Sequence, residues 1–200
     1  MAYPPRIVIA SRNLHKLREI SRICAAWPVE WLTAHGGDER WPEVEETGST
    51  YLDNARLKAR AVAVALGEPA LADDSGIEVD ALGGRPGPRS ARFGGNGATD
   101  ERNLDELIRA VKGVPASGRT ARYRCVVVLS DPNGGERVAE GTCEGVLTPK
   151  PRGTRGFGYD PIFVPVGWDR TMAELSDEEK DRVSHRGRAL RALAADLEAS

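Results

Sequence analysis

Cysteine is scarce in this chain. Cys24, Cys125 and Cys143 are the only three among 200 residues, and no two of them form a C-x-x-C pair. That count and spacing exclude a disulfide framework and a zinc ribbon, and leave reduced, buried thiols as the expectation. Long apolar runs are missing too: nothing approaches the ~20 residues of a membrane span. The opening MAYPPRIVIAS lacks the basic segment and ~7–15-residue apolar stretch of a secretory signal, so a soluble cytoplasmic protein with no membrane partner is expected. There is no excess of either charge. Twenty-eight basic residues face 30 acidic ones for a formal net of −2, which gives a polyanion such as DNA no bulk attraction, and no nucleic-acid partner is expected. The glycine patterns of a Walker A loop and of a dinucleotide-binding turn are absent, as are internal repeats and low-complexity tracts.

What is present suits one enzyme-sized domain over residues 1–200, with 40% hydrophobic content to build its core. Residues 6–11 (RIVIAS) read as a strand, and Leu14, Leu17, Ile20 and Ile23 follow with helical spacing. A second strand is expected over residues 30–35, then a polar, acidic working loop over 36–48. Residues 50–66 form the best helix of the first half, with Ser49 or Thr50 as its cap and Leu52, Ala55, Ala59, Val62, Ala63 and Leu66 on one stripe. Pro69 introduces a short strand, Ala70 to Ala72, that ends in Asp73-Asp74-Ser75-Gly76, and residues 77–82 continue extended. Residues 83–97, rich in Gly, Pro and Arg, form an irregular loop. A helix over 98–112 precedes two long strands, 120–130 and 137–147, joined by a turn at Pro132-Asn133-Gly134-Gly135 and therefore antiparallel. Residues 149–158 make a second Gly/Pro loop, and 176–198 is helical. Ser176 and Glu179 carry a capping-box signature, and Ser184 is placed to cap a second segment. The class is α/β with a mixed sheet.

Several short stretches combine groups suited to chemistry. Adjacent carboxylates at Asp73 and Asp74 are costly at a strand end unless a cation neutralises them, and a hard ion such as magnesium suits them better than zinc where no His/Cys cluster exists. An Asx-turn in which one Asp caps the backbone is the structural alternative. Glu45 and Glu46 supply a second acidic pair from a loop, which could be merely solvated or could reach the same ion. The segment Ser11-Arg12-Asn13-Leu14-His15-Lys16 lies between a strand and its helix, where free N–H groups and the helix dipole favour an anion and lysine adds a point charge. Asn54 and Lys58, four apart, share a helix face. His15 and His35 have no evident partner in the sequence. Gly156-Phe157-Gly158-Tyr159-Asp160 suits backbone contact and stacking against a base, or a turn with core aromatics. Lys180, Ser184, His185 and Arg186 gather basic groups near a helix start, where cations do not stabilise the helix.

Taken in order, SRNLHK, EETGSTYLDNARLKA, ADDSGIEVDALGGRPGPRSARFGG, GFGYDPIF and KDRVSHRGRAL strongly resemble the inosine/xanthosine triphosphate pyrophosphatase family. The resemblance runs from residue 7 to about 193. It implies an elongated mixed β-sheet flanked by helices, two lobes around a nucleotide-binding cleft, a homodimer, and Mg2+-dependent cleavage of ITP, dITP and XTP to monophosphate and pyrophosphate. Residue by residue, it places Ser11 to Lys16 and Lys58 at the triphosphate, and Glu45 and Asp74 at the metal, with Glu46 the less favoured of its pair. Asp74 is also the expected proton acceptor, with Ser75 as a neighbouring substrate contact. Phe157, Gly158, Tyr159, Asp160, Lys180, His185 and Arg186 fall at base and nucleotide recognition positions. Arg12 stands where the family more usually has glycine, so the backbone of that loop is an open question.

The expected reaction is attack of water at the α-phosphorus, with lysines stabilising the charge that builds on the leaving pyrophosphate. Asp73 or Asp74 would orient or deprotonate the water, and the sequence does not divide those roles. For the base, Arg186 is expected to donate to the 6-oxo group that distinguishes hypoxanthine and xanthine from adenine, a mismatch worth ~1–3 kcal/mol or ~10–100-fold per unpaired group. The rival readings are a pyrophosphatase of other nucleotides, a nucleotide sensor without hydrolysis, and a nucleic-acid binder using Arg85, Arg89 and Arg92.

Overall fold

The computed structural model describes residues 3–33 and 41–199. Among them, six strands form one sheet: β1 (Arg6–Ile9), β2 (Glu30–Thr33), β3 (Ala70–Val79), β4 (Thr120–Ser130), β5 (Glu136–Leu147) and β6 (Phe163–Pro165). Their order across the sheet is β2-β1-β3-β4-β5-β6. Strand β1 runs parallel to both neighbours, with Ile9 opposite Thr33 on β2 and opposite Leu71 on β3, whereas β5 and β6 are antiparallel. The sheet is therefore mixed, as expected. The helices are α1 (Leu14–Ile23), α2 (Tyr51–Leu66), α3 (Asp100–Ala110), α4 (Asp177–Val183) and α5 (His185–Glu198).

The chain divides into two compact units, each discontinuous in sequence. The first comprises Met1–Asp74, Cys125–Gly141 and Arg186–Ser200; the second comprises Ser75–Arg124 and Thr142–His185. The core of the first unit follows from the two-residue period of β1. Ile7 and Ile9 pack with Leu17 and Ile20 of α1 and with Leu190 and Leu193 of α5. Val8, pointing the other way, packs with Ala55, Ala59, Val62 and Ala63 of α2. A strand buried on both faces carries a continuous apolar run, and RIVI is one. The second unit closes around Ile77, Val79, Leu107, Tyr123, Phe163, Met172 and Leu175.

The ends of the helices follow their side chains. Thr50 caps α2 by accepting the Asp53 N–H while Asp53 accepts the Thr50 N–H, and Gly67 closes the helix at φ 70°. Helix α3 starts at Asp100, two residues later than expected, because Thr99 is the cap and accepts the Arg102 N–H. The turn between β4 and β5 is closed by the Asp131 N–H donating to the Gly135 carbonyl at 2.7 Å, and so short a connection returns the chain antiparallel.

Three further differences from the sequence reading bear on the site. The strand expected over 30–35 is described only to Thr33, and Ala34 and His35 lie outside the described residues, as do residues 36–40 of the expected loop. Residues 77–82 divide, with β3 ending at Val79 and a short 3-10 turn spanning Asp80–Leu82. The third difference is the most informative. The carboxylates of Asp73 and Asp74 do not end a strand; β3 runs through them for ten residues. Buried charge would break such a strand if left unpaired, and here it is paired by groups distant in sequence.

Candidate functional site

Successive residues of a strand point to opposite faces, so β3 presents Asp73 and Asp74 to different surroundings. Both are buried, and their partners divide accordingly. Asp73 Oδ2 accepts from Arg186 Nη2 at 2.9 Å and Nε at 3.2 Å, and lies 3.1 Å from Lys16 Nζ. The Cys125 thiol points at the same oxygen from 3.8 Å. Asp73 Oδ1 is buried without a hydrogen-bond partner. Arg186 is itself 1% exposed, and its Nη1 donates to the buried Glu19 of α1. Helix α1, strand β3 and helix α5 are thus pinned by one guanidinium between two carboxylates.

Asp74 is held differently. Its Oδ2 accepts from Asn54 Nδ2 at 3.1 Å, and its Oδ1 lies 3.8 Å from Lys58 Nζ. Lys58 Nζ also donates to Glu46 Oε1 at 2.5 Å and to the Asp73 carbonyl at 2.8 Å. The Lys16 ammonium reaches that carbonyl at 3.5 Å. Two lysines from two helices therefore meet over one stretch of β3, with side chains only 15% and 14% exposed.

The electrostatics separate the two acids. Burial raises the pKa of Asp73, but the charges of Arg186, Lys16 and Lys58 outweigh it and hold the carboxyl far below the usual range. For Asp74 burial prevails over Lys58 and Lys16, and its pKa is raised. Lys58 loses hydration through burial, yet Asp74, Glu46 and Asp73 together raise its pKa and keep it charged. The surrounding cations thus favour the ionised form of Asp73, and burial favours the protonated form of Asp74.

The phosphate-loop residues are only partly in the state expected. Asn13 caps α1: its Oδ1 accepts the N–H groups of His15 at 2.9 Å and Lys16 at 3.2 Å, and its own N–H donates to Ser11 Oγ at 3.2 Å. Two N–H groups that an anion could use are therefore occupied by the cap. Arg12, Leu14 and His15 are exposed. No described non-glycine residue has a positive φ, so Arg12 occupies the loop without the strain that replacing glycine could cause.

Glu46 rather than Glu45 is the acid on Lys58; Glu45 stands exposed beside it. The resemblance places Glu45 at the metal, a role separate from this ion pair. Arg186, tied to Asp73 and Glu19 at 1% exposure, joins the elements that carry them.

The second unit holds the other expected group. Asp160 Oδ2 accepts from Lys180 Nζ at 2.5 Å and from the Phe157 N–H at 2.9 Å, and Asp160 Oδ1 accepts from Tyr123 Oη at 3.2 Å. Lys180 Nζ lies 5.0 Å from the centre of the Phe157 ring, a cation–π contact. Gly156 (φ 72°) is required here, since a Cβ would fall 2.1 Å from Asp160 Oδ2. His185 stacks on Tyr123 with ring centres 4.6 Å apart. Tyr159 is buried in the core and its hydroxyl donates to the Ser90 carbonyl at 2.7 Å. The Gly158 N–H donates to Asp100 Oδ2 at 3.1 Å. Ser75 follows Asp74 directly, at the first position of the second unit.

Glu19, Tyr123 and Cys125 escaped the sequence reading. Glu19 had a usable signal, being three residues after Lys16 and so on its helix face. Tyr123 and Cys125 had none beyond their strand.

Comparison with known proteins agrees over nearly the whole chain. Residues 7–196 match the Ham1 family. A relative from Geobacillus kaustophilus, named dITP/XTP pyrophosphatase, is 46% identical and covers 94% of this chain and 91% of its own length. One of the same name from Bacillus subtilis is 43% identical over 96% of each chain. Among solved structures, a HAM1 protein from Coxiella burnetii superposes with a TM-score of 0.87 at 39% identity, covering 98% of this chain and 100% of that one. A nucleoside-triphosphatase, or dITP/XTP pyrophosphatase, from Mycobacterium abscessus gives 0.73 at 45% identity, covering 94% and 97%.

Proposed function

The chain belongs to the Ham1 family, and on that premise we propose that it hydrolyses the deaminated purine nucleotides ITP, dITP and XTP to the nucleoside monophosphate and pyrophosphate. The observation that carries the reading is the meeting of Lys16 and Lys58 over Asp73 and Asp74. Positioned ammonium groups stabilise charge that grows on a departing pyrophosphate, and a buried carboxyl of raised pKa takes a proton from water.

Each group then has one task. Lys16 and Lys58 exchange their carboxylate and carbonyl contacts for phosphate oxygens. Asp73, fixed by Arg186, keeps Lys16 at the site in the absence of substrate. Asp74 Oδ1, the oxygen not engaged by Asn54, accepts the proton of the attacking water. In the second unit, Lys180 and the Phe157 ring are the groups offered to the base, with Asp160 and His185 holding them in place.

The residues present also fit a magnesium ion. Asp74, with Glu45 or Glu46 from the loop before α2, supplies oxygen donors of the kind this hard ion takes, and it commonly uses one or two carboxylates together with water and substrate phosphate. Among the described residues no three His, Cys, Asp or Glu side chains converge as a ready-made cage. When bound, the ion would neutralise charge on the triphosphate. We extend the reading to a cytoplasmic homodimer, which light scattering at micromolar concentration tests.

The deciding experiment is pyrophosphate release from ITP, dITP, XTP, GTP and ATP with and without Mg2+. Magnesium-dependent release that favours the first three is expected; equal kcat/KM for ITP and ATP would remove the base preference, and no release from any of them would remove the activity.

A further inference from the structure

Asn54 takes no part in the reaction as set out above, yet it is 0% exposed and both ends of its amide are engaged. Its Nδ2 donates to Asp74 Oδ2 at 3.1 Å, and its Oδ1 accepts the Gly48 N–H at 2.8 Å. Chemistry fixes which end faces which partner. An ionised carboxylate only accepts and a backbone N–H only donates, so a flipped amide would oppose like groups at both ends. Gly48 closes the segment that carries Glu46, and its approach to α2 leaves no space for a side chain. A Cβ at Gly48 would lie 2.5 Å from Asp53 Cβ and 2.6 Å from Asn54 Oδ1.

We propose that Asn54 is a positioning residue that locks the Asp74 carboxylate and the Glu46-bearing loop into one unit. Lys58 makes a second tie between the same two segments, reaching Glu46 at 2.5 Å and Asp74 at 3.8 Å. That tie is an ion pair open to solvent on the Glu46 side, and it loosens when Lys58 turns to phosphate. The amide tie is buried, and Asn54 itself carries no charge to exchange for phosphate. It keeps the proton acceptor and the acidic loop in register while the lysine changes partner, as a support held by packing and two hydrogen bonds is suited to do.

The effect on turnover rests on the reaction proposed above; the tie itself is a property of the free chain, so the test reads both. Amide exchange at Gly48 is followed by NMR in metal-free, substrate-free protein, and kcat and KM for ITP with Mg2+ are measured for Asn54→Ala and Asn54→Asp. Asn54→Asp keeps an acceptor for Gly48 but sets a second acid against Asp74 in place of the neutral amide donor, so Gly48 stays protected while kcat falls about 100-fold. Asn54→Ala loses both bonds: Gly48 exchange rises at least about tenfold, and kcat falls with KM changed less than about threefold. A merely structural asparagine would lower the melting temperature of both variants without this split. Unchanged Gly48 exchange in Asn54→Ala, or a kcat within about threefold of the parent in both variants, would overturn the proposal. Should Asn54→Ala fail to fold, Asn54→Asp decides through its pairing of a protected Gly48 with a lost kcat. Should the parent release no pyrophosphate, the reaction falls, and the exchange comparison by itself decides whether the tie exists.

Discussion

At the scale of single residues, Asp73 and Asp74 show how neighbours of one chemical type come to do different work. Both are buried; what separates them is the number of fixed cations in reach. Arg186 and Lys16 contact Asp73, and its charge is part of the architecture. Asp74 has one amide donor and a more distant lysine, and burial raises its pKa. Because its folded pKa lies above the unfolded value, Asp74 favours the fold at low pH, and that contribution is lost as pH rises through the folded pKa. At neutral pH its ionised form is therefore a cost to stability. Asp74→Asn is expected to lower kcat by about 100- to 10,000-fold while the melting temperature at pH 7 rises rather than falls. Calorimetry beside a pyrophosphate assay checks both, and a less stable variant would contradict the account. Arg186 and Glu19 make the opposite case. Removing one member of a buried, hydrogen-bonded pair strands the other, so Arg186→Met is expected to cost about 3–5 kcal/mol in urea unfolding, far more than a substitution at exposed Arg12.

At the scale of elements, the acid limb of stability has an assignable part in α4. Glu179 accepts from both terminal nitrogens of Arg170, at 2.6 and 3.1 Å, and from the Ser176 N–H at 2.8 Å. The Arg170 contact, aided by the capping hydrogen bond, holds its pKa down to about 2 against 4.5 for the free side chain. A lowered folded pKa stabilises above the unfolded value and is lost as pH falls through the folded one. Glu179→Gln should therefore melt earlier than the parent at pH 7, with the difference closing between 4.5 and about 2; a gap that stays constant over that range would show that the charge is not responsible. This cap was legible in the sequence because it is local: Ser176 and Glu179 are three residues apart. So were the α2 cap, the β4–β5 hairpin and the apolar run of β1. The long β3 was not, because a window around Asp73 shows only two charges that should end a strand. What sustains it arrives from Lys16 and Arg186, 57 and 113 residues away. The same distance hid the partners of Arg186, the carboxylates of Asp73 and Glu19. It explains Glu46 as well, since only the fold decides which of two adjacent acids faces Lys58.

At the scale of the whole molecule, the residues given tasks in the proposed reaction belong to different units. Those assigned to phosphate and proton transfer, Lys16, Lys58, Asp73 and Asp74, lie in the first; Phe157, Asp160, Lys180 and His185 lie in the second. The triphosphate is common to every nucleoside triphosphate and the base is not, so the two sets should separate in kinetics. Lys58→Ala removes stabilisation that all substrates share, and kcat/KM is expected to fall by the same factor for ITP and ATP. Lys180 has a different expectation. Its ammonium donates to Asp160 and can donate to a 6-oxo acceptor but not accept from a 6-amino donor. Lys180→Met keeps an unbranched side chain and discards the donor, so the ITP-to-ATP ratio of kcat/KM should contract by about 10- to 100-fold, with ITP losing most of the change. Because Lys180 and Asp160 form a buried pair, Lys180→Met also leaves a carboxylate unpaired and should lower stability; Lys180→Met combined with Asp160→Asn relieves that cost. If the double variant recovers stability yet keeps the contracted ratio, the loss of selectivity belongs to the missing donor and not to a disturbed fold; an unchanged ratio in both variants would take base recognition away from Lys180.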